Sequence, residues 1–272
     1  MRELVGGIIP AAGAGCFVRD NRKISKLLAE VGGLPIIGHV VANLKASQIC
    51  STIVVGKNHL YGDQIQHELM RLGHTDLVYT KHHWRLGTAE VLSQALSILQ
   101  SNGLRHGIMI FADHLFIQPE TIKQLEETHL AEQPVITMLT IPVRKNHPLS
   151  RCFSQYGVVK RDHRGQVCGT IERRKVGAID DLPDGEHVNS SVFVFDLDWV
   201  DRALPEIGHV IREDGFTPEL HVTHLLGVAS KHGAFVKEVC LDIPEQAIQV
   251  NTEDDLRVAR QLCQQQYQLS IT

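Results

Sequence analysis

The stretch VGGIIPAAGAGCFVRDNRKISK, residues 5–26, decides how the chain is read. Residues 5–10 are short, apolar and rich in β-branched side chains, the pattern of a buried strand. The run breaks at a turn in which Gly13 and Gly15 stand among Ala11, Ala12 and Ala14. The same rhythm continues outward. Residues 36–46 read as a helix, 51–55 as a strand closed by Gly56, 61–72 as a helix and 77–80 as a strand. Residues 88–99 set Ala89, Leu92, Ala95, Leu96 and Leu99 on one face at the helical period. Residues 107–111 form another strand, and Pro119 opens a helix where its missing N–H costs nothing. This order predicts a Rossmann-like α/β fold, with a mainly parallel mixed sheet and helices on both faces.

The pattern loosens after Val135. Residues 135–143, 156–161, 166–171 and 188–195 read as strands without helices between them, an antiparallel subregion. Helices are expected at 198–204 and 218–231, and strands at 235–239 and 247–250. Thr252 and Asp255 have the spacing of a capping box that starts a last helix through Leu262. No repeat, biased tract or linker divides residues 1–272, which read as one continuous domain.

Composition narrows the classes. With 43 % apolar and 21 % charged residues the chain is an ordinary globular one. A net charge of −4 argues against a nucleic-acid surface, which needs excess Lys and Arg to displace counterions. No stretch is apolar enough for a bilayer span, and Glu3 with the glycines after it fits a first strand better than a signal peptide. A cytoplasmic protein with no membrane partner is expected. The six cysteines are scattered without close pairs and are expected to be reduced thiols.

The chemistry concentrates at three places. The glycine turn lets backbone N–H groups approach a ligand closely, as turns that cradle phosphates do. It lacks the third glycine and the later acid of a dinucleotide fingerprint, and the Gly-Lys-Ser/Thr of a P-loop. The cations Arg19, Arg22, Lys23 and Lys26 follow. Arg19 and Lys26 are read as neutralising phosphate charge, and Arg22 and Lys23 as solvated. Asp113, in FADHLF, follows a central strand at the sheet edge where open α/β folds bind ligands, and a carboxylate there suits Mg²⁺. Asn251, in VNTEDDL, leaves a late segment with an amide oxygen to offer the same cation. His221 and His224 stand one helical turn apart, but with no second ligand pair they read as ordinary surface or core histidines.

IIPAAGAG with Lys26, LGTAEVLSQAL (86–96), FADHLF and VNTEDDL occur in the order and spacing of the sugar-phosphate nucleotidyltransferases. The chain most resembles the uridylyltransferase domain of the N-acetylglucosamine-1-phosphate uridylyltransferases, over nearly its whole length. Asp-His in FADHLF and the acidic NTEDDL also resemble the inositol-1-phosphate cytidylyltransferases. The resemblance implies that Ala11, Ala12, Gly13, Gly87 and Thr88 hold a nucleoside triphosphate; Gly15 joins them from the glycine turn, and His82, with His83 next to it, adjoins the proposed nucleotide loop and is read as nucleotide-binding. The resemblance also implies catalytic roles for Arg19 and Lys26, and Mg²⁺ on Asp113 and Asn251. Gly157, Glu172, Asn189 and Thr223 match positions that contact an acceptor sugar, so residues 1–135 would be the nucleotide-binding half and 136–250 the acceptor-binding portion. Gly15-Cys16-Phe17 replaces the family's Gly-Thr-Arg, and Arg19 is read as the arginine after a two-residue insertion. The uracil-reading Gln is replaced around His82 and Arg85. UTP and CTP are therefore both open as donors, a sugar or polyol phosphate as acceptor, and homo-oligomerisation likewise. The alternatives are a nucleotide-sugar-binding protein impaired in catalysis and a molybdenum-cofactor-type nucleotidyltransferase.

Overall fold

The computed structural model describes residues 5–19, 22–83, 86–144, 147–153, 156–171, 185–211 and 218–269. β1 (Val5–Ala11) leads into a hairpin, β2 (Cys16–Arg19) and β3 (Arg22–Ser25), then a 3-10 turn at Lys26–Leu28. The small pair β4 (Glu30–Val31) and β5 (Leu34–Pro35) comes next. Helices and strands then alternate: α1 (Ile36–Ala46), β6 (Cys50–Asn58), α2 (Gly62–Arg71), β7 (Val78–His82), α3 (Thr88–Ser101), β8 (His106–Ile110) and α4 (Pro119–Glu132). β9 (Ile136–Pro142), β10 (Val158–Arg161), β11 (Val167–Ile171) and β12 (His187–Asp196) follow. The chain continues with α5 (Leu197–Ala203), β13 (Val210–Ile211), β14 (Pro218–Glu219), α6 (His224–Lys231), β15 (Val236–Cys240) and α7 (Glu253–Leu269).

Among the described residues nine strands make one sheet. β7, β6, β1 and β8 run parallel. β12 is antiparallel between β8 and β9, and β15 runs parallel to β9 at the far side. The β10–β11 hairpin joins through Val158, opposite Val188 of β12. Side chains alternate across each strand. Val5, Ile9 and Ala11 of β1 therefore pack with α1, α2, α4 and α7, while Ile8 packs with α3, α5 and α6. This is the expected two-faced Rossmann-like architecture. Among the described residues no helix is long and apolar enough to cross a membrane.

Two expectations are corrected, and one element is additional. Residues 16–25, for which no element was expected, form a hairpin. The stretch 218–231 is not one helix. Its start pairs as β14 with β13, and the helix begins only at His224, because the amides of Leu220 and Val222 donate elsewhere, to Leu86 O and Thr88 Oγ1. Residues 247–250 are not a strand. They leave a 3-10 turn at Pro244–Ala247 and are tied by side chains and by a bond from Val250 N to Asp113 O.

Candidate functional site

The parallel strands β1, β6 and β8 release their chain ends at one edge of the sheet, and the glycine turn, Asn58 and Asp113 lie there. Asn58 pins the turn. Its Nδ2 donates to the carbonyls of Gly13 at 2.8 Å and Ala12 at 3.2 Å. With those carbonyls held, the amides of Gly13 and Ala14 donate to no acceptor among the described residues.

The hairpin returns the chain to this turn, where Lys26 N donates to Gly15 O at 3.1 Å. The Lys26 stem crosses Gly15, and a methyl group there would stand 3.1 Å from Lys26 Cδ. The ammonium reaches inward and donates to Asp113 Oδ2 and to Asn251 Oδ1, both at 2.6 Å. These partners are 87 and 225 residues away in sequence. Burial raises the Asp113 carboxyl, but the Lys26 ammonium, His114 and a backbone hydrogen bond together outweigh it and hold the group below the usual carboxylate range.

The segment that leads to Asn251 is held from several sides. Tyr156 Oη donates to Ala247 O at 2.6 Å and accepts from Gln249 N at 2.9 Å. Gln249 Nε2 lies 2.6 Å from His114 Nε2. Burial pushes the His114 imidazole down to about 4, so it is neutral and its ring nitrogen can accept that bond. Asp255 Oδ2 accepts from the amides of Asn251 and Thr252, the expected capping box at the start of α7. Sequence reading missed Tyr156 and His114. The motif FADHLF did contain the histidine.

A cleft of ≈ 190 Å³ opens beside Lys26 and Asp113. Ala12, Gly13, Gly87 and Thr88 line it, as do His83, Val91, Phe111 and Glu219. Gly87 has φ +89°, and a Cβ there would fall 2.3 Å from Leu220 O. The Thr88 hydroxyl accepts from Val222 N at 3.0 Å, so it is committed to the neighbouring segment. That segment places Glu219 in the cleft wall, and its misreading as helix hid this carboxylate.

The remaining expected residues lie elsewhere. Ala11 is buried at the end of β1. His82 is corrected. It does not line the cleft but is buried against Gly56, with Nε2 2.7 Å from Thr80 Oγ1, and burial lowers its pKa. Its neighbour His83 lines the cleft instead. Arg19 sits at the tip of the β2–β3 hairpin, opposite Arg22 and away from the Cys16–Ser25 end that adjoins Lys26. Gly157 and Asn189 are neighbours, joined by a 2.8 Å bond from Asn189 N to Gly157 O, but neither lines this cleft. The Asn189 side chain accepts from Ser191 N at 3.0 Å, within a bulge where Ser191 has φ 62°. Thr223 stands in the turn before α6, also outside the cleft lining. Glu172 lies outside the described residues.

Hard oxygen donors therefore converge at Asp113 and Asn251, and Asp113 Oδ1 is buried with no hydrogen-bond partner among the described residues. A carboxylate with one unsatisfied oxygen and an amide oxygen form a donor pair that fits a magnesium-like cation.

Residues 7–174 match the model of the family described as the MobA-like NTP transferase domain. The chain is 24 % identical over 258 residues to the bifunctional protein GlmU of Dichelobacter nodosus, covering 94 % of this chain and 50 % of that protein. It is 25 % identical over 266 residues to GlmU of Trichlorobacter lovleyi, covering 97 % and 53 %. The chain thus spans about half the length of these relatives. A Bacillus anthracis structure described as a glucose-1-phosphate thymidylyltransferase in complex with sucrose shares the fold, with TM-score 0.72, 18 % identity and 95 % of each chain covered. So does a CMP:2-keto-3-deoxy-manno-octonic acid synthetase complexed with CTP, with TM-score 0.64, 12 % identity, and 97 % of this chain and 100 % of that one covered.

Proposed function

This chain belongs to the MobA-like NTP transferase domain family, and we propose that it joins a nucleoside triphosphate to a sugar or polyol phosphate with release of pyrophosphate. One observation carries the reading. Lys26, Asp113 and Asn251, remote in sequence, meet within single hydrogen bonds beside a cleft walled by the glycine turn. The relatives named as GlmU and the neighbour complexed with CTP support a nucleotide donor and a sugar-type acceptor, with UTP and CTP the first donors to test. We place the reaction in the cytoplasm, where triphosphates are made.

The chain's own groups divide the work. The amides of Gly13 and Ala14 receive phosphate oxygens at the turn. Gly87, at the start of α3, brings backbone close to the nucleotide, and Thr88 holds the wall formed by residues 220–222. Lys26 neutralises charge that develops on the transferring phosphate and the pyrophosphate, and we assign Arg19 the same task from the hairpin tip. The acceptor phosphate is already ionised, so no protein nucleophile is required. Alignment of acceptor oxygen, phosphorus and leaving group is the main contribution of the cleft. Asp113 and Asn251 would hold Mg²⁺, which supplies charge neutralisation on phosphate oxygens. Gly157, Glu172, Asn189 and Thr223 are proposed acceptor contacts.

The test is pyrophosphate release by purified protein offered each triphosphate with a panel of sugar and polyol phosphates. Turnover with one pair, and its loss by at least about a hundredfold in Asp113→Ala, is the expected result. Full turnover by that variant would contradict the metal assignment.

A further inference from the structure

Lys26 stands in a telling position. Its ammonium is 2.6 Å from Asp113 Oδ2 and 2.6 Å from Asn251 Oδ1, the oxygens proposed to hold the cation. Magnesium binds oxygens at about 2.0–2.1 Å, so an ion on this pair would need the space that Nζ fills. Two like charges do not share that space. We infer that in the nucleotide-free protein Lys26 occupies the divalent-cation position, and that ammonium and metal exchange there during each binding cycle. The inference rests on the proposed reading of this site and adds an order of events to it.

Burial supplies the reason for such an arrangement. The Asp113 and Lys26 side chains are only 13 % and 15 % exposed. A buried carboxylate without a counter-charge is strongly unfavourable, so some cation must accompany Asp113 before the metal arrives. Lys26 meets the need incompletely, because Asp113 Oδ1 keeps no partner among the described residues. A divalent ion offers more coordination than one ammonium and a higher charge, and so can displace it. The displaced group has somewhere to go. The Lys26 stem lies over exposed Gly15, and the amides of Gly13 and Ala14 beside it would cradle phosphate. Metal arriving with a polyphosphate thus brings Lys26 its new partner, and the same side chain serves as placeholder and then as phosphate contact.

The consequence is that bare metal should bind poorly to the free protein, since it must evict Lys26 without offering it a replacement. Its apparent affinity is reduced by the fraction of molecules in which the position is open. Mn²⁺ alone serves as the probe, titrated against nucleotide-free protein and followed by the electron paramagnetic resonance of the unbound ion. Lys26→Met and Lys26→Gln remove the charge and keep much of the stem. Both are expected to bind Mn²⁺ about tenfold or more tightly than wild type. Adding Asp113→Asn should abolish the gain. Thermal melts check folding, and two replacements guard against one of them folding badly. Lys26 variants that fold and bind Mn²⁺ no tighter than wild type would overturn the inference. A gain that survives Asp113→Asn would do so too. Pyrophosphate assays separate this from the function itself. Turnover by wild type with no gain in the variants sinks only the exchange, and a gain with no turnover on any pair sinks only the transferase reading.

Discussion

Gly87 shows how much of the site depends on a missing methyl group. Its φ of +89° and the 2.3 Å that would separate a Cβ from Leu220 O strain any other residue at this position. Gly87→Ala is expected to cost about 1–3 kcal/mol in urea unfolding and to lower turnover further, because Leu220 neighbours Glu219 of the cleft wall. Gly13→Ala is the contrast. A Cβ there meets nothing within 4 Å among the described residues, so stability should change by less than about 0.5 kcal/mol while nucleotide affinity falls. Equal melting temperatures for Gly87→Ala and wild type would refute the strain argument. The residue scale also shows what a sequence reveals of a site. Lys26, Asp113 and Asn251 stood out by residue type and motif, although only Asp113 follows an element that was read correctly, β8. Their direct bonding to one another was not legible, because side-chain pairing across 87 and 225 residues leaves no local trace. His82 was chosen over His83 for a related reason. His82 is the last residue of β7 and His83 the first beyond it, and only the path of the folded chain decides which of the two meets the cleft.

At the scale of elements, the docking of α4 on the sheet carries a titratable joint. His129 of α4 places Nδ1 2.9 Å from Thr137 Oγ1 on β9 and Nε2 3.1 Å from His106 Nδ1 on β8. Burial, with a smaller contribution from His106, pushes the His129 imidazole down from 6.5 to about 3. The unfolded chain then takes up a proton below about pH 6.5 that the folded protein refuses until far lower. The stability this group confers is complete above that pH and drains away as pH falls. From pH 7 to 5 the folded state should lose about 1–2 kcal/mol through this site. His114, shifted in the same direction to about 4, adds to the slope. His129→Phe is expected to be less stable at pH 7, through its lost bonds, but to fall less between pH 7 and 5. Urea unfolding at both pH values measures this, and identical slopes in the two proteins would remove His129 from the account. Elements were easiest to read where burial imposed a long period. Ile36–Ala46 appears with the expected bounds, because a helix with one buried face repeats its signal over several turns. The β2–β3 hairpin was missed because four residues a strand barely establish alternation, and Phe17 buried beside exposed Val18 is all it offers. Pro218 misled for a different reason. It looks like the first residue of a helix, yet the amides that would have continued that helix are taken by Leu86 and Thr88.

On the scale of the whole molecule, the cleft draws its walls from widely separated parts of one chain. Residues 12–13, 87–88, 111–113 and 219 meet there, and Asn251 joins through Lys26. Those segments end β1, precede α3, follow β8, and bridge to α6 and α7, so a ligand in the cleft ties together elements from both faces of the sheet. Its binding free energy should therefore appear as global rather than local stability. A magnesium–triphosphate complex held at a hundred times its dissociation constant adds about 2.7 kcal/mol to the folded state. For a protein of this size that raises the melting temperature by about 5 °C. Scanning the four triphosphates in turn, each with magnesium, should therefore rank them by affinity. The largest shift would identify the base, with UTP and CTP the expected leaders. The shift should shrink when magnesium is chelated, and shrink again in Asp113→Ala, since both remove the cation from the bound complex. Tryptophan fluorescence and far-ultraviolet circular dichroism should report the same midpoint, because the stabilised unit includes the whole sheet. If millimolar triphosphate and magnesium moved neither signal in wild-type protein, the convergence of Lys26, Asp113 and Asn251 would have to be explained as packing alone, and the cleft would lose its assignment.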